Sequence, residues 1–421
     1  MAVTQPTRVL ALGIGAFTQG CLRILREDGA EVQGYLTRDY GHYGPRLEAA
    51  CRSAADLPDP VDWMREQRPD VLVPMSIEWA LRPWTERFLA SGLPLLCPTG
   101  EGLRLERERD FARALCGRFG IPFPGSRFAR TREEAAAWVR ATNRPFVIKN
   151  PLCSPTSPIH TIVCETPGDT LSWIPRLDDS EGIFLQEYLG RREAGHIALV
   201  SAGEIHPLVT NQEYKRAFDG NLGVVAGAPL GGLVERDPED RYGLARELLE
   251  PLRPWFREVG FHGPVQVTAM RHQDRWQVLE YNVRLGVTSG PMILRLLENP
   301  TDVLRACARN EPLRPRWRPS LRFGCCLTLA GYGYPFTQLA GPRVPVTVEG
   351  TPTCDVWWNE VEASLDGGIE TTGHRLCDVS ALSSTLEGAI GLAYGNIRRI
   401  RSLGSYFRTD VGRSLWPPGE P

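Results

Sequence analysis

The sequence predicts an α/β and α+β multidomain protein, and three observations carry that expectation. Its 421 residues exceed what one hydrophobic core usually organises and imply about two to four domains. Residues 8–100 alternate short apolar runs with amphipathic stretches, which is the pattern of a parallel sheet covered by helices on both faces. Residues 321–421 hold strand-like runs closed by one helical stretch, a β-rich C-terminal domain. Between them, 101–320 reads as a central domain with a small α+β lid at about 124–190.

Composition narrows the function classes. An apolar fraction of 42% is that of an ordinary globular chain. The net charge of −2, with no basic block, argues against a nucleic-acid surface. No apolar run approaches a membrane span, and Val9–Leu12 reads as a buried strand, not a signal peptide. Eleven cysteines with no CxxC pair imply neither a zinc site nor a disulfide framework, and fit a reducing, cytoplasmic setting.

In the N-terminal part, strands are expected at Arg8–Leu12, Val32–Tyr35, Asp70–Pro74 and Pro94–Cys97, with helices at Phe17–Arg26 and Val61–Gln67. Gly13-Ile14-Gly15 turns the first strand into its helix. Such a turn can receive a phosphate, but Gly13, Gly15 and Gly20 miss the GxGxxG spacing, so glycines for a tight turn are the better reading. A helix is expected over Glu101–Phe119, stopped by Gly120-Ile121-Pro122. In the lid, Ser126–Ala129, Pro145–Lys149, Thr161–Cys164 and Ile183–Tyr188 read as strands and Arg132–Ala141 as a helix. Lys149 ends an apolar strand, where a lysine is costly to bury unless it faces an anion or snorkels out. Pro251 and Pro254 should split the helical stripe of Tyr242–Val259. Pro264–Met270 and Trp276–Tyr281 follow as adjacent strands, then Phe323–Leu329, Val344–Val348 and a helix over Thr385–Arg399.

The stretch richest in chemistry is Gln277–Gly290. Glu280, Asn282 and Arg284 occupy alternate positions, and alternate side chains of a strand share a face. A carboxylate and an amide oxygen are hard ligands for magnesium, and a guanidinium can hold a phosphoryl oxygen. An edge strand with a solvated polar face would show the same alternation.

Glu280-Tyr281-Asn282-Val283-Arg284-Leu285-Gly286 resembles the metal-binding strand of the ATP-grasp ligases. It is most similar to that of the phosphoribosylamine–glycine ligases (glycinamide ribonucleotide synthetases), which read Glu-Phe-Asn-Val-Arg-Phe-Gly. The likeness extends along the chain and implies a central ATP-grasp domain. It implies that Lys149 contacts the nucleotide phosphates and that Arg109, in the place of a helix lysine, contacts the nucleotide too, although a solvated helix face would also account for Arg109. Gln186-Glu187-Tyr188-Leu189 with Glu193 resembles the hinge Glu-Glu-Phe-Leu-x-Gly-x-Glu, implying adenine along Glu187–Leu189 and ribose on Glu193. Lys215 and Arg216 match a Lys-Arg pair, implying contact with an anionic substrate or the γ-phosphate. Thr371–Ser380 and Phe407–Gly412 resemble the closing segments of the same branch.

The departures are clustered. Gly15-Ala16-Phe17-Thr18-Gln19 replaces Gly-Gly-Arg-Glu-His. Asn150–Ile162 has neither Gly nor Lys where the family has a glycine-rich loop with a second lysine. Val287-Thr288-Ser289 replaces Asp-Pro-Glu, and Gln266 stands where many ATP-grasp proteins place a metal-binding acid. The resemblance therefore implies an ATP-dependent, ADP-forming carboxylate–amine ligase with altered substrates, in the service of a specialised biosynthesis. Mg2+ or Mn2+ would sit on Glu280 and Asn282, and Arg284 would steady an acyl phosphate. The expected partners are a small-molecule carboxylate and an amine, with no nucleic acid and no membrane, in a monomer or homodimer. A true phosphoribosylamine–glycine ligase and a non-catalytic ligand-binding or regulatory protein are the alternatives.

Overall fold

The computed structural model describes residues 5–13, 16–37, 50–154, 157–335, 343–365 and 367–413. The N-terminal sheet is parallel, in the order Cys51–Ser53, Glu31–Leu36, Arg8–Gly13, Val71–Pro74. Helices Ala16–Glu27 and Val61–Gln67 connect its strands. Cys51–Ser53 was not expected as a strand. Pro94–Cys97 was, but it joins only by one parallel bridge, Leu72 to Leu95. Pro94 and Pro98 bracket that bridge, and neither has an N–H to extend the ladder. Ile14 and Gly15 of the first turn lie outside the described residues.

The lid is a four-stranded antiparallel sheet in the order Ser126–Ala129, Ile183–Glu187, Phe146–Lys149, Ile162–Val163. Helices Arg132–Thr142 and Pro167–Trp173 bury its apolar side around Ala135, Val139, Phe146, Ile148 and Leu185. The expected helix over 101–119 is two helices, Glu101–Arg107 and Arg109–Arg118. The break is at Glu108, which is extended (φ −119°, ψ 107°) and bridges to Leu152. The lid loop fills that break: Arg109 N–H donates to the Pro151 carbonyl (3.1 Å) and Cys153 N–H to the Arg107 carbonyl (2.7 Å). A tertiary contact thus overrides a good helical pattern.

The largest element is one eight-stranded antiparallel sheet. Its order is Arg275–Asn282, Gly263–His272, Glu193–Ser201, Glu204–Glu213, Gly231–Arg236, Phe323–Ala330, Arg375–Ser383, Asp355–Trp358. Gly231–Arg236 pairs directly with Phe323–Ala330. The division expected at 320 is therefore not a break in the sheet, and the C-terminal strands extend the central ladder. Pro251 and Pro254 divide the 242–259 stripe as anticipated, leaving Leu244–Leu248, Glu250–Leu252 and Arg253–Glu258.

The closing segment Phe407–Gly412 does specific work in this frame. Arg408 is 1% exposed and donates to the Arg216 carbonyl (3.0 Å) and to Asn221 Oδ1 (2.9 Å). Asp410 Oδ2 accepts from Gly220 N–H (2.9 Å), and Gly412 N–H donates to the Tyr214 hydroxyl (2.8 Å). The tail thereby clamps the loop that carries Lys215. Gly412 has φ +80°, and a Cβ there would lie 2.4 Å from Ile390 Cδ1. Gly412→Ala should cost more than about 1 kcal/mol in urea unfolding, from left-handed strain plus overlap. A variant as stable as the parent would show that the clamp is loose.

Candidate active site

The site forms where the lid meets the outer strands of the large sheet. Its seat is the hairpin Gly263–His272 and Arg275–Asn282. The ladder slips between Thr268 and Ala269, so that Thr268 faces Glu280, Ala269 faces Val278, and Leu279 is the extra residue of a β-bulge. A bulged residue leaves backbone groups outside the ladder. Here the Leu279 carbonyl is taken by Lys149 Nζ (3.1 Å) and Gln186 Nε2 (3.2 Å), both from the lid. Lys149 Nζ also donates to Gln186 Oε1 (2.7 Å). Lys149 is 5% exposed. Burial, reinforced by the neighbouring charge of Arg109, pulls its ammonium down to about 7.

Glu280 is the point on which the cations converge. Lys215 Nζ lies 2.9 Å from Glu280 Oε1, and Arg109 Nη1 lies 3.5 Å from Oε2. Burial alone would raise the Glu280 carboxyl, but Lys215, Lys149 and Arg109 together outweigh it and hold the group well below the usual carboxylate range. Arg109 is aimed by its own Nε, which donates to the Asn150 carbonyl (2.9 Å). Lys215 also meets Glu193 at 3.1 Å and Glu213 at 3.6 Å. Burial opposes its charge, yet the three carboxylates raise its ammonium well above the ordinary value.

Arg284 and Asn282 complete this side. Arg284 Nη2 donates to Asn282 Oδ1 (3.2 Å), and Arg284 Nε lies 3.3 Å from Glu106 Oε1. Glu106 Oε2 accepts from Val283 N–H (2.6 Å), so a helix carboxylate fixes the strand end that carries the guanidinium. Burial pushes the Glu106 carboxyl up, against Arg284 and that backbone bond.

Glu193, which the resemblance sets on a ribose, lies 3.1 Å from Lys215 Nζ. Arg216, expected beside Lys215 on an anion, turns away to Glu165 Oε1 (3.0 Å) and the Asn221 carbonyl (2.8 Å). Successive residues of an extended chain point to opposite sides, which sends the two side chains to different carboxylates in this structure. The Glu187 carboxylate pairs with Arg144 (2.7 Å). The Glu187 and Tyr188 amides are spent on the Gly125 (2.7 Å) and Pro145 (3.0 Å) carbonyls. Among the described residues the Leu189 amide has no partner and is the free donor of that run. In the lid loop, Asn150 Nδ2 donates to the Leu152 carbonyl (2.9 Å), Ser157 Oγ (3.2 Å) and Glu181 Oε2 (2.6 Å). Pro155 and Thr156 lie outside the described residues.

Sequence reasoning missed Glu106 and Glu213. Glu106 carried a signal, a carboxylate three residues after Leu103 on the buried face of its helix. Glu213 was legible only through the register that sets it beside Gly232 and within reach of Lys215. Glu193, Glu213 and Glu280 are hard oxygen donors, and this donor set fits a divalent cation such as magnesium. A second acidic group, Asp237 and Asp240 beside His196, is taken up by the backbone N–H groups of Arg241, Ala245 and Arg246.

No family model matches the chain. Curated relatives named phosphoribosylamine–glycine ligase match at low identity over most of its length. The one from Xanthomonas axonopodis pv. citri is 26% identical over 391 residues, covering 88% of this chain and 90% of that protein. The one from Ralstonia nicotianae is 28% identical over 345 residues, covering 77% and 79%. The crystal structure of phosphoribosylamine–glycine ligase from Thermotoga maritima superposes with a TM-score of 0.74 at 22% identity, covering 96% of this chain and all of that one. The chain is a relative of the phosphoribosylamine–glycine ligases. The biotin carboxylase domain of the Hydrogenobacter thermophilus 2-oxoglutarate carboxylase, solved with MgADP, has the same fold (TM-score 0.69, 14% identity, 96% and 92% covered). The fold is ATP-grasp, and the chain is a ligase of that type, a class that uses ATP with Mg2+.

The buried lysine gives a test independent of turnover. Lys149 titrates near 7 in the folded chain and at its ordinary 10.5 when unfolded. Between these values the unfolded chain binds the extra proton. The stability is therefore fully present above 10.5 and is lost as pH falls through about 7. Lys149→Met should flatten the rise in stability between pH 7.5 and 9.5, read as urea midpoints, relative to the parent. Parallel curves for the two proteins would place the ammonium in water.

Proposed function

We propose that this chain is an ATP-dependent, ADP-forming ligase that joins a small carboxylate to an amine. The observation that carries the reading is the convergence of Arg109 and Lys215 on Glu280, with Lys149 on the neighbouring Leu279 carbonyl, at the junction of lid and sheet. A carboxylate oxygen of the first substrate attacks the γ-phosphorus of ATP, giving ADP and an acyl phosphate. The amine nitrogen attacks the acyl carbon, phosphate leaves, and the nitrogen gives up a proton. No protein nucleophile is needed, and the rate comes from positioning and fixed charge. Lys149 and Arg109 neutralise the nucleotide phosphates, and the free Leu189 amide receives the adenine edge. Arg284, held by Glu106, steadies the acyl phosphate oxygen. Magnesium, when bound to the carboxylates around Glu280, supplies charge neutralisation for the transferring group. The setting is cytoplasmic in this reading, in keeping with eleven unpaired cysteines. Among the described residues no helix is long and apolar enough to cross a membrane.

The substrate pair differs, in this proposal, from phosphoribosylamine and glycine. Its support is the replacement of three segments that lie far apart in sequence: 15–19, 223–232, where the family's Asn-Thr pair is missing, and 287–289. The relatives favour a second reading, in which the chain is itself a phosphoribosylamine–glycine ligase, because they match over as much as 88% of it. Turnover of freshly generated phosphoribosylamine with glycine and MgATP separates the two. The proposal expects little product there and ADP release with another acid and amine. Glycinamide ribonucleotide made at rates of roughly 1–10³ per second would establish the second reading.

Two substitutions test the machinery. Glu280→Gln keeps the side-chain shape and removes the charge, and turnover should fall by on the order of a hundredfold or more. Lys149→Ala should weaken ATP binding in calorimetry, more strongly at low salt. Unchanged turnover or affinity would remove the corresponding residue from the site.

A further inference from the structure

The surroundings of Lys215 do not look like those of a lysine waiting for an anion. Its ammonium is ringed by carboxylates from three separate strands: Glu280 at 2.9 Å, Glu193 at 3.1 Å and Glu213 at 3.6 Å. These strands are neighbours in the large sheet, and their register sets further oxygen atoms on the same face. Thr268 lies directly opposite both Glu280 and Gly195, and Gly195 lies opposite Asn211. Asn211 is 1% exposed and Thr268 is 4% exposed. Asn211 Oδ1 and Thr268 Oγ1 are both buried without a hydrogen-bond partner among the described residues. Gly195 makes room for this arrangement, since a Cβ there would lie 2.5 Å from Asn211 Oδ1. An unmet buried oxygen costs about 1–3 kcal/mol, and a bound ion or water is one way such groups are completed.

We propose that Glu193, Glu213 and Glu280, with Asn211 and Thr268 beside them, form a divalent-cation site that the Lys215 ammonium fills in the nucleotide-free protein. The inference rests on the ligase reading only in identifying the cation as the one that accompanies the nucleotide. It assigns Glu193 and Glu213, which no sequence motif marked as metal ligands, to that ion. It also gives Lys215 a role as the resident counter-charge. Three clustered carboxylates repel one another, and an ammonium in their midst keeps the empty site folded. A hard cation entering with nucleotide satisfies the same oxygens at closer range. The displaced ammonium is then released toward the transferring phosphoryl group. The loop that carries Lys215 is tied at its far side by Arg408 and Asp410, so the exchange needs the side chain to move and not the backbone.

The test is the affinity for Mn2+ itself, measured by electron paramagnetic resonance on the full chain. With no nucleotide present, Lys215→Met should bind Mn2+ at least about tenfold more tightly than the parent, and Lys215→Met with Glu213→Gln should lose that gain. Equal or weaker binding by Lys215→Met overturns the proposal. Should Lys215→Met fail to fold, Glu213→Gln alone is measured with ADP present. A loss of about tenfold or more in Mn2+ affinity supports the site, and an unchanged affinity overturns it. Because no readout is turnover, failure of this proposal leaves the ligase reading standing. Absence of ADP formation with every acid and amine would in turn leave the cation site untouched.

Discussion

The structure turns on the pairing of one partly buried carboxylate with cations. Glu280 sits at the end of the hairpin, and three basic side chains from three different parts of the chain act on it: Arg109 from a helix start, Lys149 from the lid and Lys215 from a loop. A buried charge is tolerated only when it is paired and hydrogen-bonded, and breaking one partner leaves the others exposed to the full cost. Glu193, Glu213 and Glu106 balance the remaining positive charge of Lys215 and Arg284. The result is a network of four carboxylates and four basic side chains in which each removal leaves a partner less well paired.

Much of the remaining architecture can be understood as service to that network. The β-bulge at Leu279 turns a ladder carbonyl toward the lid, and Lys149 and Gln186 use it to dock lid on sheet. The break at Glu108 lets the lid loop pair with the helix ends, and the same loop carbonyl that receives Arg109 Nε directs its guanidinium at Glu280. The C-terminal strands extend the sheet, and the tail beyond them holds the Lys215 loop through Arg408. Parts of the chain separated by nearly 200 positions therefore set the place of a single ammonium.

How much of this was legible in the sequence follows from how local each cause is. Alternation alone put Glu280, Asn282 and Arg284 on one face, and an apolar strand ending in lysine marked Lys149. These are properties of four to eight residues. The prolines that split 242–259 were legible for the same reason. The break at Glu108 was not, because the contact that imposes it comes from Leu152 and Pro151. Glu193 and Glu213 owe their roles to strand register between neighbours in the sheet, which no window of sequence contains. The partners of Arg216, Glu165 and the Asn221 carbonyl, were not legible from its adjacency to Lys215, because neighbouring side chains of an extended chain diverge. The merging of the C-terminal strands into the central sheet was hidden too, since a strand's own residues do not announce which edge it will join.

The lid loop shows how the chain manages without flexible glycines and a second lysine. Its described part is bound internally by Asn150 and Ser157 and externally by the helix break, and its prolines have no N–H to offer a phosphate. The loop also fixes Arg109, whose Nε donates to the Asn150 carbonyl. A mobile loop must be ordered each time ligand binds, and that ordering opposes affinity. A loop already tied to a helix end avoids this cost, but it gives up the ability to adapt to phosphates of different geometry. In the proposed reading, the tied arrangement favours a single nucleotide pose, with Arg109, Lys149 and Glu280 held in register before the ligand arrives.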